Sequence, residues 1–134
     1  MAIHLSGKII TLKSAHGKYV VAESNGHANA NRHHVGAFER FWVERVSGSK
    51  IALKSVAHNK YLVAESNGDC NANRQHRGAW EIFYLEKVSA GHIALKSHHG
   101  KYVVAESDGR LNANRDGRGA WEIFHYHAIP QGIF

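Results

Sequence analysis

Three short polar runs, each ending in arginine, are the residues of this chain best suited to hold a ligand. Each run reads Asn-Ala-Asn-Arg and follows a glutamate of the same repeat. Side chains alternate between the faces of a strand, so the two asparagines share one face and the alanine takes the other. Amide and guanidinium donors beside a carboxylate acceptor can grip the vicinal hydroxyl groups of a sugar. The three candidate clusters are Glu23, Asn29, Asn31 and Arg32; Glu65, Asn71, Asn73 and Arg74; and Glu106, Asn112, Asn114 and Arg115.

An aromatic residue follows each cluster and completes the candidate site. Phe38, Trp80 and Trp121 each precede a glutamate, and a ring beside hydrogen-bonding groups can stack on the apolar face of a sugar. Two interpretations are open for both kinds of residue. The asparagines and arginines either bind a ligand or satisfy turn carbonyls and pair with the glutamate of their own repeat. The rings either form ligand platforms or cover the end of a barrel.

The other reactive residue types form no catalytic or metal-binding pattern. The repeated serines lie in turns without a nucleophile motif, so the sequence does not predict an enzyme. Twelve histidines are present, and His125 and His127 share a strand face, but a metal site needs a third convergent ligand. We therefore predict no metal and no other cofactor. The histidines instead predict a response to pH, because imidazoles gain positive charge in mild acid. The single cysteine, Cys70, is interpreted as a buried apolar filler.

The candidate sites recur because the chain contains one unit in three copies. A Lys-Tyr motif with a following Val-Ala-Glu-Ser recurs about every 41 residues. With a period near 40 and only three copies, the array is too short for an open solenoid and has too few copies for an ordinary propeller. It indicates a closed body in which any functional surface should appear three times. The repeats are approximately residues 9–48, 49–90 and 91–129 of a single domain, residues 1–134.

Each repeat predicts four short strands and no helix. In the second copy they are Ile51–Ser55, Tyr61–Glu65, Cys70–Arg74 and Trp80–Glu86, each bounded by turn residues. Twelve strands in three copies predict an all-β fold, a single β-trefoil with pseudo-threefold symmetry. Its core should consist of layers that take one residue from every repeat. The layers are Leu12, Leu53 and Leu95; Val20, Leu62 and Val103; Ala22, Ala64 and Ala105; Ala28, Cys70 and Leu111; and Phe41, Phe83 and Phe124.

Charge and hydropathy narrow the classes of partner. The formal net charge is +6, but the basic residues recur at equivalent places in the repeats and are not gathered into one stripe, so no specific nucleic-acid partner is expected. No apolar run approaches the roughly 20 residues of a transmembrane helix. The first residues lack the apolar run of a signal peptide, so we expect a cytoplasmic protein or one secreted without such a signal.

The runs Gly-Lys-Tyr-Val-Val-Ala-Glu-Ser, Asn-Ala-Asn-Arg and Gly-Ala-Trp-Glu-x-Phe resemble the fascin-like β-trefoil superfamily. It includes the actin-bundling fascins, the histidine-rich hisactophilins and fascin-like domains of secreted bacterial glycoside hydrolases. The resemblance covers essentially the whole chain and implies the trefoil fold and either a cytoskeletal or a carbohydrate-associated role.

Together these observations predict a non-enzymatic, multivalent binding module. Our first hypothesis is a lectin-like protein with up to three equivalent shallow sites for glycans. The alternative is a protein that binds F-actin in the manner of fascin or hisactophilin, with pH-sensitive histidines. The sequence does not determine the oligomeric state.

Overall fold

The computed structural model describes residues 5–130, which form an all-β structure of twelve strands in one hydrogen-bonded sheet. The predicted domain, residues 1–134, therefore includes four residues at each end that lie outside the described range. The strands are β1 (Ile9–Lys13), β2 (Tyr19–Ala22), β3 (Ala28–Arg32), β4 (Phe41–Ser47), β5 (Lys50–Ser55), β6 (Tyr61–Ala64), β7 (Cys70–Arg74), β8 (Phe83–Ser89), β9 (His92–Lys96), β10 (Tyr102–Ala105), β11 (Leu111–Arg115) and β12 (Phe124–Ile129).

Six of the strands pair into a closed ring. Antiparallel pairing runs from β1 to β4, β5, β8, β9 and β12, and β12 pairs again with β1. The remaining six strands form three hairpins, β2–β3, β6–β7 and β10–β11. The six strands of the closed ring have no unpaired edge, because each of them has a partner on both sides.

The three hairpins contact one another through their turns. A glycine at each turn adopts a positive φ, and a backbone carbonyl of one hairpin accepts a hydrogen bond from the next hairpin. At Gly109, for example, φ is +95° and an added Cβ would lie 2.8 Å from the Cβ of Asn31. Only glycine combines this backbone conformation with so close an approach. The three connecting bonds, each 2.8 Å long, run from the N–H groups of Ala30, Ala72 and Ala113 to the carbonyls of Gly109, Gly26 and Gly68.

The residues of the predicted core layers are all buried in one hydrophobic cluster. The leucine and phenylalanine layers are at most 2% exposed, and the layer that contains Cys70 is at most 4% exposed. Side-chain size varies in that layer between alanine, cysteine and leucine, so the repeats are not identical inside. Burial raises the pKa of the Cys70 thiol well above its usual range, since the thiolate would be desolvated there. The interpretation of Cys70 as a buried filler is confirmed.

The predicted start of the fourth strand of each repeat is wrong. Trp80 lies in a 3₁₀ turn, and the strand begins at Phe83. The carboxylate of Glu81 accepts a 2.5 Å hydrogen bond from the Gly78 N–H, and the Ile82 N–H donates to the Ala79 carbonyl at 3.2 Å. These local bonds favour a tight turn over an extended chain. The three turns are Ala37–Glu39, Ala79–Glu81 and Ala120–Glu122.

Candidate functional site

Each predicted polar cluster is a hydrogen-bonded network within one hairpin. In the third repeat, Arg115 Nη2 lies 2.6 Å from Glu106 Oε1, and Asn112 Nδ2 donates to Glu106 Oε2 at 3.0 Å. Arg115 Nη1 also donates to Asn114 Oδ1 at 2.5 Å. The same bonds join Glu65, Asn71, Asn73 and Arg74, and they join Glu23, Asn29, Asn31 and Arg32.

In these networks, asparagine and arginine side chains of the same hairpin supply the hydrogen-bond donors that each glutamate carboxylate needs. The Glu106 side chain is 12% exposed, whereas that of Arg115 is 37% exposed. A carboxylate that is mostly removed from water needs such partners, because an unpaired buried charge is costly. The networks therefore connect β10 to β11, β6 to β7 and β2 to β3. The arginines, each more than a third exposed, still present part of the guanidinium to solvent.

The second repeat joins its polar cluster to its ring through a buried glutamate. Arg74 Nε lies 3.9 Å from Glu81 Oε2, and Glu81 follows Trp80 directly. Glu81 is 6% exposed, as are its counterparts Glu39 at 5% and Glu122 at 7%. Arg74 therefore contacts the residue that directly follows the predicted ring Trp80 in the chain.

The three rings are partly exposed at the surface. Phe38, Trp80 and Trp121 show 37%, 36% and 39% of their surface to solvent. This exposure leaves room for a ligand to reach a ring.

A histidine from the next repeat holds each ring. The His58 ring lies edge-on to Phe38, with 4.4 Å between ring centroids, and its Nε2 is 2.9 Å from the Ala22 carbonyl oxygen. His99 lies likewise 4.9 Å from Trp80, and His16 lies 4.7 Å from Trp121. The other two anchoring carbonyls, each 3.0 Å from the imidazole Nε2, belong to Ala64 for His99 and to Ala105 for His16.

Sequence reasoning missed these three histidines, although a signal was present. In each repeat one residue separates the histidine from the Lys-Tyr motif. This residue is Gly17, Asn59 or Gly100. All three of those residues have a positive φ, +77°, +60° and +78°. The left-handed residue ends the turn in the same way in each repeat, so the longer turn of the second repeat still presents His58 in the position of the other two.

A tyrosine, a glutamate and an arginine form a hydrogen-bonded triad at two of the three junctions between repeats. The Tyr61 hydroxyl lies 2.8 and 2.9 Å from the two carboxylate oxygens of Glu44, and Arg77 Nη1 donates to Glu44 Oε1 at 2.9 Å. Burial and the Glu44 carboxylate raise the pKa of Tyr61. Tyr102, Glu86 and Arg118 repeat this arrangement.

The hydrogen bond to Glu86 is the main cause that raises the pKa of Tyr102. At the third junction the equivalent sequence positions hold Tyr19, His127 and Val35. Neither His127 nor Val35 supplies a carboxylate or a guanidinium, so this junction cannot form the triad. The three junctions therefore differ in their polar residues.

Within residues 5–130, no group of three or more His, Cys, Asp and Glu side chains has the proximity to hold a metal ion. His125 stacks instead on His92, with ring centroids 4.9 Å apart and planes 20° apart. Among the same residues, no helix is long and apolar enough to cross a membrane.

Comparison with known proteins identifies the family from most of the chain. The family model described as the Fascin domain matches residues 25–126, a stretch that contains all three rings and all the clusters except Glu23. No curated protein matches the chain significantly. The matched stretch covers well over half of the sequence and is all-β, and the chain belongs to the Fascin domain family.

Proposed function

We propose that this chain is a non-enzymatic β-trefoil binding module whose three ring surfaces bind glycans. The closed ring of six strands and the three mutually bonded hairpins support the trefoil assignment. The Fascin domain match supports a binding module. Each proposed site comprises a ring, the histidine that holds it and the polar cluster of the same repeat, as predicted for Glu65, Asn71, Asn73, Arg74 and Trp80 and their equivalents.

The fixed, partly exposed rings carry the glycan proposal. A ring that stacks on a sugar binds better when it is already held in place, because less conformational entropy is lost on binding. The His99 ring packs edge-on against Trp80, and the bond from that imidazole to the Ala64 carbonyl fixes His99 in this position. The Arg74 side chain is 36% exposed, contacts Glu81 beside Trp80 in the chain, and can donate hydrogen bonds to hydroxyl groups.

F-actin is the second candidate partner. Membership of the Fascin domain family and the net charge of +6 favour it. A basic surface attracts an acidic partner, and salt screens that attraction. Binding of this kind should strengthen in mild acid, when the exposed histidines become charged, and should weaken with salt. A neutral sugar stacked on a ring should respond much less to either change.

Ring variants distinguish the two candidates. Trp80→Ala and Trp121→Ala each remove one proposed platform, and Trp42→Ala is the matched control because Trp42 is equally exposed, at 37%, but lies in strand β4 outside the ring surfaces. Each variant is tested on a glycan array and by co-sedimentation with F-actin. We expect the first two changes to lower glycan binding about 5- to 150-fold per site, since the comparable stacking of a base on an aromatic ring is worth about 1–3 kcal/mol.

The outcomes separate the hypotheses clearly. Loss of glycan binding in Trp80→Ala and Trp121→Ala but not in Trp42→Ala supports the ring sites. Calorimetry with a monovalent sugar should then show more than one site per chain, and clustered glycans should gain about 10²-fold in avidity. Co-sedimentation with F-actin that is lost at high salt, without glycan binding by any variant, would establish the second candidate in place of the first.

A further inference from the structure

A shallow pocket of about 260 Å³ lies where the third repeat meets the first. Its polar lining consists of Lys13, Ser14, His92 and His125, and Ala120 and Ile123 supply part of its apolar wall. Among the described residues, those that line the pocket include no aspartate or glutamate. The pocket is too small for a ligand of drug size, so its contents must be a small group.

Three adjacent strands place the basic side chains in one row. His125 of β12 pairs with Lys13 of β1 on one side and with His92 of β9 on the other. Directly paired residues present their side chains on the same face of a sheet. The row therefore brings the Lys13 side chain and two imidazoles to the lining of the same pocket. On its other side Lys13 pairs with Tyr19 of β2, and its Nζ lies 5.5 Å from the centroid of the Tyr19 ring.

The equivalent rows of the other repeat junctions show that this arrangement is particular to one place. They keep the lysine, as Lys54 and Lys96, but pair it with Trp42 and Tyr84 in place of His125. The next positions hold Ile9 and Lys50 in place of His92. The three repeats diverge in these rows, and only the row at this junction contains two histidines.

The surroundings of the two imidazoles favour a bound anion over a metal ion. Their rings are stacked nearly parallel rather than converging on a common point. His92 Nδ1 lies 3.0 Å from the Ala90 carbonyl oxygen, to which it donates, and 3.2 Å from Ser89 Oγ. Its Nδ1 is thereby occupied, and a charged His92 would present an additional N–H at Nε2.

Protonation of the two histidines would add the positive charge that attracts an anion to the pocket. The groups that face them are Lys13 from β1, the Ser89 hydroxyl at the end of β8, the Ala90 carbonyl from the turn before β9, and each other. On β12 itself, His127 follows two residues later and pairs with Thr11. Two stacked imidazolium rings beside an ammonium repel one another, and an anion removes that repulsion.

We propose that this pocket binds one tetrahedral oxyanion, a sulfate or phosphate group, and that it does so more tightly in mild acid. Lys13 and the two imidazoles supply charge, and the Ser14 hydroxyl supplies a further donor. As a deepening that rests on the proposed glycan function, the group is an ester on a sugar stacked at Trp121. Ala120 and Ala15, which line the pocket, are the chain neighbours of Trp121 and of the histidine that holds it.

Titration with inorganic sulfate tests the pocket alone. Sulfate keeps its charge throughout the range used, and binding is followed by NMR with a chelator present. We expect one saturable site per chain whose affinity rises about 10-fold between about pH 7.5 and about pH 6.0, as coupled uptake of a proton requires. His125→Gln and Lys13→Met should each abolish saturation, and Lys54→Met, the same change at the equivalent lysine, should leave it intact.

Several results would overturn the proposal. They are unsaturable binding, an equal loss in Lys54→Met, and unchanged affinity in His125→Gln. Stoichiometric Zn²⁺ binding that requires His125, in the absence of any sulfate site, would make the pocket a metal site instead. If His125→Gln fails to fold, Lys13→Met decides, because the Lys13 side chain is exposed.

A second titration separates the pocket from the ring function. Galactose 6-sulfate should bind more tightly than either galactose or inorganic sulfate, and Trp121→Ala should remove that gain while sulfate still binds. A sulfate site without any gain from the sugar supports the pocket and refutes the role of Trp121. A neutral sugar that binds at the rings without any sulfate site refutes the pocket and leaves the proposed function standing.

Discussion

Replacing Arg115 with alanine tests whether the polar clusters hold the hairpins together. The change removes the 2.6 Å bond to Glu106 and the 2.5 Å bond to Asn114. It leaves the Glu106 carboxylate, 12% exposed, with the amide of Asn112 as its remaining side-chain partner in the network.

The expected loss of stability follows from this geometry. Hydrogen bonds to charged groups contribute about 1.5–3 kcal/mol, and the 37% exposure of the Arg115 side chain reduces that value through solvent screening. We therefore expect Arg115→Ala to lower the free energy of unfolding by about 1–2 kcal/mol. For a chain of this size the melting temperature should fall by about 3–8 °C.

Arg110 provides the matched control within the same hairpin. It pairs with Asp108, but the two side chains are 67% and 57% exposed. Exposed ion pairs contribute little, so Arg110→Ala should leave the urea unfolding curve where it is. Equal effects of Arg110→Ala and Arg115→Ala would refute the assignment of a structural role to the network.

Glu106→Gln completes a double-mutant cycle. Combined with Arg115→Ala it removes the unpaired charge, so the double variant should recover part of the lost stability and show a coupling of about 1 kcal/mol. Glycan binding by the folded variants then tests whether Arg115 also contacts a ligand. If the arginine also donates to a ligand, affinity should fall further in Arg115→Ala than the loss of folded protein explains.

Three other predictions concern the turns, the tyrosines and the cysteine. Gly17 has a φ of +77° and open space around it, so Gly17→Ala should lower the free energy of unfolding in urea by about 1–2 kcal/mol. Gly109→Ala should lower it by about 1–3 kcal/mol more, because the new Cβ would meet the next hairpin. Equal losses in the two variants would contradict that contact. Absorbance during alkaline titration should show Tyr61 and Tyr102 ionising above the usual pKa of about 10. Since the folded pKa is the higher one, their contribution to stability is complete below about pH 10 and is lost as the pH rises through the folded values; titration of both at the ordinary value would argue against the carboxylate bonds. Cys70 should react with a thiol reagent only after unfolding, because burial raises its pKa, and rapid labelling of the native protein would contradict its burial.

Local sequence patterns predicted most of the strands and the core. Alternating apolar residues and turn signals lie within five to ten residues of one another, so strand β7 was predicted with the bounds Cys70–Arg74 that the structure has. The pairing of Arg74 with Glu65 was also one of the two interpretations, since Glu65 directly follows β6 and Arg74 ends β7 of the same hairpin. In such cases the contacts are close in sequence, and periodicity determines which face a side chain takes.

The 3₁₀ turn at Trp80 was not predicted because its cause is a side chain acting on the backbone. Glu81 continues the β-pattern toward Phe83, but its carboxylate bonds to the Gly78 N–H and tightens the chain. A pattern of hydrophobic and polar residues does not contain that bond.

The sequence by itself determined the three copies, the strand order, the core layers and the family resemblance, because each depends on residue types at short range. Tertiary structure decided which repeat supplies the partner of a given residue. His16 anchors to Ala105, 89 residues away, and His125 lies between Lys13 and His92 only because β12 pairs with both β1 and β9. Contacts of this kind form when the ring of strands closes, and closure depends on the free energy of the whole chain rather than on any local preference.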